Sequence, residues 1–404
     1  MARNNGVGRR GGVAAGVCGA GGAAVLLAGV SGLGSWRDSL GRVTAAAGGA
    51  RVSSRHAATE MTITSPRPYF VPLNGQGPAL SAGRVVWTAN NAQGQPGSAI
   101  DRIYLYDLAR RRSSTPVASR YGTAGFIGGY ALAGNRLAYV DTGVTPSRIF
   151  TWRVCVVDLR GGGTMVVETS PPGASSYIPP RIAFDGTHLL VLQSVSTGSG
   201  LPEGVASLYT LPRHIPDVLA RLSSATASFS DPVLARGAAL WTTQSFGSRP
   251  SSRLTAYDLR RHTARAIPVG DVSELSANGD LVVWKSGMAS MPGGRIGLYS
   301  VGRGRVLSAD LAHGDAAIYP SVGGELVSWT SVDFSRVQVY SLTARRVVYN
   351  APAVPHRIYG LSSVTPGAST GMPVAGDSVA WVYTANASSR SAMRGYIVVR
   401  VIGR

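Results

Sequence analysis

A unit of short strands recurs seven times along this chain, and this recurrence constrains the fold more than any other feature. Each copy has a turn signal containing Gly, then a strand that ends in an aromatic or apolar residue, then a third strand that ends in Tyr-Asp-Leu or a related triplet. The ends of the second strands lie 43 to 52 residues apart. They are Trp87, Tyr139, Val191, Trp241, Trp284, Trp329 and Trp381.

The turn signals and a fourth strand complete the unit. Pairs such as Asn278-Gly279 supply the positive φ angles that tight hairpins require. A further short strand follows the third, as at Ala264–Val269 and Arg345–Tyr349. Four strands in about 40 to 50 residues is the period of a β-propeller blade. The repeats predict an all-β, seven-bladed propeller, with six or eight blades as the alternatives.

One copy of the repeat also resembles a known family. The segment Glu274-Leu-Ser-Ala-Asn-Gly-Asp-Leu-Val-Val-Trp284 resembles the inner hairpin of TolB-like propeller repeats, and the Tyr-Asp-Leu strand resembles their third strand. The resemblance covers about residues 60–404 and lacks the Ser-Pro-Asp-Gly turn of that family. It implies a propeller that serves as a binding scaffold. It implies no catalytic residue, because the family shares a fold rather than one chemistry.

Residues 1–47 have the features of an export signal. Arg3, Arg9 and Arg10 form a basic start, Val13–Val30 is apolar, and Ala45–Ala47 offers small residues for cleavage. An uncleaved membrane anchor and a disordered tail are the alternatives. Export predicts an extracytoplasmic location, either secreted or associated with the cell envelope.

A polar linker is expected at residues 48–59, and the propeller at 60–404. The last repeat ends at Arg404, directly after its third strand. A strand-like segment between Glu60 and Val71 has no blade of its own. We therefore expect it to pair beside Tyr396–Val401 and to close the ring, which would cover an exposed sheet edge. The tryptophans expected to be buried between blades are Trp87, Trp241, Trp284, Trp329 and Trp381.

The charge of the chain is strongly positive. It has 39 Lys and Arg against 20 Asp and Glu, for a net charge of +19, and Lys285 is the only lysine. No nucleic-acid-binding motif accompanies this charge, so nucleic acid is not expected as a partner. For an exported protein, the charge favours a protein partner or an anionic polymer of the cell envelope, with association at a membrane surface as a further option. A monomer is expected.

Propeller topology separates the connections onto two faces. On the loop face, loops join the second strand to the third and one blade to the next. On the hairpin face, tight turns join the first strand to the second and the third to the fourth. Long connections belong to the loop face, which is the usual place for binding.

Arginines recur at the start of the third strands, on the loop face. A structural role at the strand end is one reading of these arginines. The other is a set of donors for anionic groups. The candidate anion contacts are Arg102, Arg153, Arg253, Arg295, Arg336 and Arg394. The turns of the hairpin face are basic as well. Their arginines are Arg110, Arg111, Arg112, Arg160, Arg260, Arg261, Arg303, Arg305, Arg345 and Arg346.

Catalytic signals are absent from the sequence. It has no Gly-x-Ser-x-Gly, no His-Glu-x-x-His and no phosphate-binding loop, so we predict no catalytic residue, no metal and no cofactor. His188 is expected to pack in the core. Asp107, Asp158 and Asp258 are expected to cap turns rather than to act in catalysis.

The sequence therefore leaves two candidate functions. The first is a non-enzymatic scaffold that binds through its loop face. The alternative is a propeller enzyme, of lyase or glycoside hydrolase type, with a site at the mouth of the central channel.

Overall fold

The computed structural model describes residues 60–64, 77–88, 100–122, 125–144, 150–171, 179–195, 203–223, 225–288, 293–332, 336–352, 374–385 and 394–402. The predicted export segment and linker lie outside these residues, as do most of the long loops of the loop face. No helix among the described residues is long and apolar enough to cross a membrane.

The described strands form seven four-stranded antiparallel sheets, one for each predicted blade. Blade 1 contains β2–β5, at Ala79–Ser81, Arg84–Thr88, Arg102–Asp107 and Arg112–Ala118. Blade 2 contains β6–β9, at Gly125–Ala133, Arg136–Val144, Phe150–Asp158 and Thr164–Thr169. Blade 3 contains β10–β13, at Arg181–Phe184, His188–Val195, Glu203–Thr210 and Pro216–Ser223. Blade 4 contains β14–β17, at Ala227–Ala235, Ala238–Ser245, Ser251–Asp258 and Thr263–Ile267.

The remaining blades follow the same order. Blade 5 contains β18–β21, at Val272–Asn278, Leu281–Ser286, Ile296–Ser300 and Arg305–Ser308. Blade 6 contains β22–β25, at Ala317–Gly323, Leu326–Ser331, Arg336–Ser341 and Arg346–Pro352. Blade 7 contains β26–β28, at Val374–Ala375, Ser378–Ala385 and Arg394–Val401, and its fourth strand is β1, at Glu60–Thr64.

The blades form a closed ring. The first strand of each blade contacts the first strand of the next, and β26 contacts β2. In blade 7, β1 pairs antiparallel with β28, from Glu60 opposite Arg400 to Thr64 opposite Tyr396. The first described strand of the chain therefore covers the outer edge of the last blade, as the unpaired third strand of the final repeat led us to expect.

Each predicted turn signal forms the hairpin between the first and second strands of a blade. At every one of these seven turns a glycine has a positive φ, between +57° and +99°, which side chains with a Cβ rarely adopt. These glycines are Gly83, Gly134, Gly186, Gly237, Gly279, Gly324 and Gly376.

The hydrophobic core lies between the blades. The described residues form seven apolar clusters, and each cluster joins residues of two neighbouring blades. Trp87, Trp241, Trp284 and Trp329 are at most 2% exposed and lie in these clusters, as predicted. The side chain of Trp381 lies outside the described residues.

The joint between blades 2 and 3 differs from the expected pattern. The second strand of blade 3 contributes Val191 there instead of a large aromatic residue. The tryptophan of this cluster is Trp152, which comes from the third strand of blade 2 and is 2% exposed.

Candidate functional site

Four of the six candidate arginines are exposed at the start of a third strand, on the loop face. Arg102 and Arg336 are the first residues of β4 and β24, Arg295 directly precedes β20, and Arg253 is the third residue of β16. Arg394 begins β28, and its side chain lies outside the described residues. Each of the four lies four residues before the tyrosine near the end of its third strand, so the four positions are equivalent.

Nearby carboxylates neutralise these guanidinium groups only in part. Arg102 Nε lies 3.6 Å from Asp101 Oδ2, and its side chain is 46% exposed. Arg295 Nε lies 3.8 Å from Asp310 Oδ2, and its side chain is 70% exposed. Both distances are too long for a direct hydrogen bond. The solvent-facing part of each guanidinium can therefore accept an external anion.

Arg153 has a different role from the other candidates. It is the fourth residue of β8, and its Nε and Nη2 lie 2.9 Å and 2.8 Å from Asp141 Oδ2. Asp141 is fully buried and also accepts hydrogen bonds from the Ser119 hydroxyl and the Arg120 amide. Because a buried carboxylate needs such compensation, the guanidinium of Arg153 is engaged within blade 2.

The first strands surround a central channel, and its hairpin-face half contains a cavity of about 230 Å³. Most of the lining side chains are apolar, but polar atoms make up more of the exposed lining surface than apolar atoms do. The lining includes Ile182, Phe184, Leu234, Leu275, Ser276 and Ser321.

β-Bulges interrupt the first strands of blades 4, 5 and 6 beside this cavity. The register shifts there, and Asp231, Glu274 and Tyr319 have φ of +47°, +57° and +54°. Such angles are unfavourable for residues other than glycine, at a cost of about 1–3 kcal/mol each. The contacts made by these residues must compensate for that cost.

A buried ion pair holds the bulge of blade 5. Lys285 Nζ lies 2.7 Å from Glu274 Oε1, and the Tyr319 amide of blade 6 donates to Glu274 Oε2 at 2.6 Å. The Lys285 side chain is 1% exposed and that of Glu274 is 8% exposed. Burial raises the pKa of Glu274, while the Lys285 ammonium and the Tyr319 amide oppose this rise.

The bulge of blade 4 is held in a similar way. Asp231 Oδ2 accepts a hydrogen bond from the Thr242 hydroxyl, and Asp231 Oδ1 lies 3.8 Å from Arg181 Nη1 of blade 3. Arg181 also donates to the hydroxyl of Ser230 at 2.7 Å. We refer to Arg181, Asp231, Glu274 and Lys285 as the charged belt. It carries two cations and two carboxylates and links blades 3 to 6.

The charged belt was not predicted from the sequence. Two signals were present: Lys285 is the only lysine among 39 basic residues, and Asp231 is followed by a proline in the middle of an apolar strand. Neither signal names a partner, because the residues that meet here come from separate blades.

One histidine, His188, lies in a different environment from the one predicted. His188 was expected to pack in the core, and this prediction is wrong. Its side chain is 31% exposed, and Nδ1 lies 3.0 Å from Asp185 Oδ2, because His188 begins β11 beside the turn. Within the described part of the chain, no group of three or more His, Cys, Asp or Glu side chains is placed to hold a metal ion.

The predicted turn-capping aspartates act as expected. Asp107 accepts the amide of Arg110, Asp158 accepts that of Arg160, and Asp258 accepts that of Arg260. These bonds hold the turns between third and fourth strands on the hairpin face. They direct the arginine side chains of the turns into solvent.

Comparisons with known proteins support the fold. No protein-family model and no curated protein matches the sequence. Among solved structures, the β-propeller domain of the Trilobed protease from Pyrococcus furiosus is similar, with 10% identity, a TM-score of 0.52, and coverage of 81% of this chain and 95% of that one. That domain is described as having an open velcro topology, whereas here β1 pairs with β28.

Two enzymes are similar to the same extent. Oligogalacturonate lyase in complex with manganese has 11% identity and a TM-score of 0.51, with coverage of 86% of this chain and 97% of that one. A prolyl endopeptidase has 11% identity and a TM-score of 0.51, with coverage of 81% of this chain. The match spans about half of the endopeptidase chain, at 50%. These likenesses show a propeller fold and are compatible with the resemblance to TolB-like repeats.

Proposed function

We propose that this protein is an exported, non-enzymatic propeller that binds an anionic ligand through its loop face. The ligand would be an acidic protein surface or an acidic polymer of the cell envelope. The observation that carries the proposal is the exposure of four guanidinium groups at equivalent positions. They are Arg102, Arg253, Arg295 and Arg336.

The chemistry of these positions suits an extended anion. An arginine binds a carboxylate or phosphate through paired N–H groups, and a β-strand end holds its Cα in a defined place. Arg336 uses its Nε to bind Asn350 Oδ1 at 2.8 Å, which orients the guanidinium without neutralising it. A ligand that spans several blades would contact several such groups.

The enzyme alternative would draw on the carboxylates of the first strands, which surround the channel. Glu274 is held by Lys285, and Asp231 is held by Thr242 and faces Arg181. These contacts compensate for buried charge and strained backbone, and they favour the binding function over an acid–base role.

The test compares two variants of the full chain that lose the same charge. The first replaces Arg102, Arg253, Arg295 and Arg336 by Gln. The matched control makes the same change on the hairpin face, at Arg110, Arg260, Arg303 and Arg346. Binding of fluorescent polyglutamate is measured at low and at physiological salt.

We expect the loop-face variant to bind polyglutamate about tenfold more weakly or worse at low salt, and the control to change little. Wild-type binding should weaken as salt rises. Equal weakening by both variants would mean that the overall charge attracts the polymer, and no binding at low salt would reject the anion-binding function.

A further inference from the structure

We propose that the outer rim of the hairpin face is a docking surface for an anionic lipid bilayer. We define the hairpin-face rim as the turns between third and fourth strands of blades 1 to 6, together with the first residues of each fourth strand. The site goes beyond the function proposed above because it uses the opposite face of the ring. It would hold the propeller on a membrane with its loop face directed outwards.

The first observation is the charge of the rim. Each of these six turns contributes at least one arginine, and their carboxylates are few. Among the described residues, no carboxylate lies within 4 Å of the guanidinium groups of five exposed rim arginines. These are Arg110, Arg303, Arg305, Arg345 and Arg346.

The acidic side chains nearest to these arginines accept hydrogen bonds from backbone amides of the turns. Asp258 accepts amides from Arg260 and Arg261, and Asp280 accepts the amide of Gly302. These carboxylates fix the backbone of the turn. Arg160 pairs with Asp158 at 2.9 Å and Arg261 lies 4.0 Å from Asp258. The five guanidinium groups named above have no such carboxylate partner among the described residues and present their positive charge at the surface.

The second observation is the exposure of aliphatic side chains directly beside these arginines. Ile215 is 82% exposed and follows Arg213 and His214 in the turn of blade 3. Blades 5 and 6 repeat the pattern at the start of their fourth strands. Val306 and Leu307 follow Arg305, each 38% exposed, and Val347 and Val348 follow Arg346, at 37% and 36%.

The third observation is the shape of the rim. Every turn of the set lies at the same end of its blade, and the blades are arranged in a ring. From this arrangement we infer that the turn tips lie close to one plane. A flat anionic surface can contact many of them at once, whereas a linear polymer would follow only a part of the circle. A bilayer also offers headgroup phosphates for the arginines and, just below them, an apolar layer for the aliphatic side chains.

The experiment measures co-sedimentation of the full chain with vesicles. The vesicles contain phosphatidylcholine and phosphatidylglycerol in equal parts, or phosphatidylcholine alone. The hairpin-face variant is the Gln variant at Arg110, Arg260, Arg303 and Arg346, and its matched control is the loop-face Gln variant. A third variant replaces Ile215, Leu307 and Val347 by Ser, and its control is Phe246→Ser, since Phe246 is 56% exposed on the loop face.

We expect the anionic vesicles to bind the wild type and the neutral vesicles to bind it weakly. Each lost rim arginine should weaken binding on the order of fivefold, so the hairpin-face variant should lose most of it. The Ser triple variant should bind more weakly and release more readily in salt, because its remaining contacts are electrostatic. Both control variants should bind as the wild type does, and melting curves must show that all variants are folded.

Four outcomes would overturn the proposal: equal loss in the two Gln variants, no effect of the Ser triple variant, equal binding to neutral vesicles, or loss of polyglutamate binding in the hairpin-face variant. If the hairpin-face variant also loses polyglutamate binding, the rim is a general anion surface and not a lipid site. The loop-face variant tests the function proposed above, so either proposal can fail while the other stands.

Discussion

Large aromatic side chains fill the joints between neighbouring blades. Trp241 is 1% exposed and lies between blades 3 and 4, where its ring meets Phe229 edge-on at 5.9 Å. Trp87 stacks on Tyr104 of its own blade in the joint between blades 7 and 1. A blade cannot bury both of its faces alone, so these rings carry much of the stability of the assembly.

Replacing Trp241 by Ala should destabilise the protein by about 3–5 kcal/mol, because the truncation leaves a cavity that the flanking strands cannot fill. Denaturant unfolding followed by far-UV circular dichroism measures the loss. Phe246→Ala is the control, since Phe246 is 56% exposed and should change stability little. A loss at Trp241 no larger than that of the control would contradict its place in the core.

The buried pair of the charged belt gives a second prediction. Lys285→Met should cost about 3–5 kcal/mol at neutral pH, because it leaves the Glu274 carboxylate buried without its cation. The double variant with Glu274→Gln should recover part of that loss, since no charge is then left unpaired. Urea midpoints of the two variants test this, and a double variant less stable than the single one would refute it.

A partly buried carboxyl between blades 2 and 3 should make stability depend on pH. Glu168 Oε1 accepts a hydrogen bond from Gln193 Nε2 at 2.7 Å, while Glu168 Oε2 and Gln193 Oε1 have no hydrogen-bond partner among the described residues. Burial raises the pKa of Glu168 above its ordinary value of 4.5, and the side chains of Gln193 and Tyr209 oppose the rise. The folded state therefore holds this proton more tightly than the unfolded state does.

The direction in which stability changes with pH follows from this difference in proton affinity. The contribution of Glu168 to stability is fully present below its unfolded pKa and is lost as pH rises through its folded pKa. Glu168→Gln removes this loss and can pair its amide with Gln193 Oε1. The Glu168→Gln variant should therefore gain more stability over the wild type at pH 7 than at pH 4. Urea unfolding of both proteins at the two pH values measures this gain. A gain that is the same at both would show that Glu168 does not titrate as described.

At the scale of single elements, the strand β1 is the one with the largest consequence. It is five residues long and pairs along its whole length with β28, and Ile63 inserts into the cluster between blades 7 and 1 at 4% exposed. The strand comes from the opposite end of the chain from its partner. Its pairing therefore fixes the two ends of the propeller together.

A chain that begins at Leu73 should melt well below one that begins at Gly48. The shorter chain loses β1 and exposes the edge of β28, which opens the ring and invites aggregation. Thermal melts of both chains measure the difference. Equal melting temperatures would show that another contact closes the ring.

At the scale of the whole molecule, each blade of the ring depends on its neighbours to bury its apolar faces. Each described blade shares an apolar cluster with both of its neighbours, and the seam joins the last blade to the first. Losing one joint therefore weakens the burial of two blades.

We expect a single cooperative unfolding transition in urea, with coincident midpoints for tryptophan fluorescence and far-UV circular dichroism. The tryptophans report on the joints between blades, whereas circular dichroism reports on the strands within them. Separate midpoints for the two probes would show that blades can detach before they unfold.

The positive charge of the molecule is distributed over both ends of the strands. Arg102 is the first residue of β4, and Arg110 follows the other end of that strand. The strand has six residues and is therefore about 20 Å long, which separates the two arginines. Replacing the loop-face arginines therefore leaves the hairpin-face arginines in place, and the reverse is also true. This separation is what allows the loop-face and hairpin-face variants to serve as controls for each other.

Local features of the chain were enough to predict the blades. A Gly turn, a buried aromatic residue and a Tyr-Asp-Leu strand act within about 25 residues of one another, so each copy specifies its own hairpin and third strand. The seam could be predicted in the same way, because a final repeat without a fourth strand and a strand without a blade complement each other.

Polar contacts between blades could not be predicted from the sequence, because they form only when the ring closes. Glu274 and the Tyr319 amide are 45 positions apart and meet through the equivalent bulges of two blades. Arg153 matched the pattern of the exposed arginines, yet its place inside β8, next to Asp141, turned it into a partner for a buried carboxylate. Strand periodicity is a local property of the chain, whereas the pairing of buried charges depends on which strands the closed ring brings side by side.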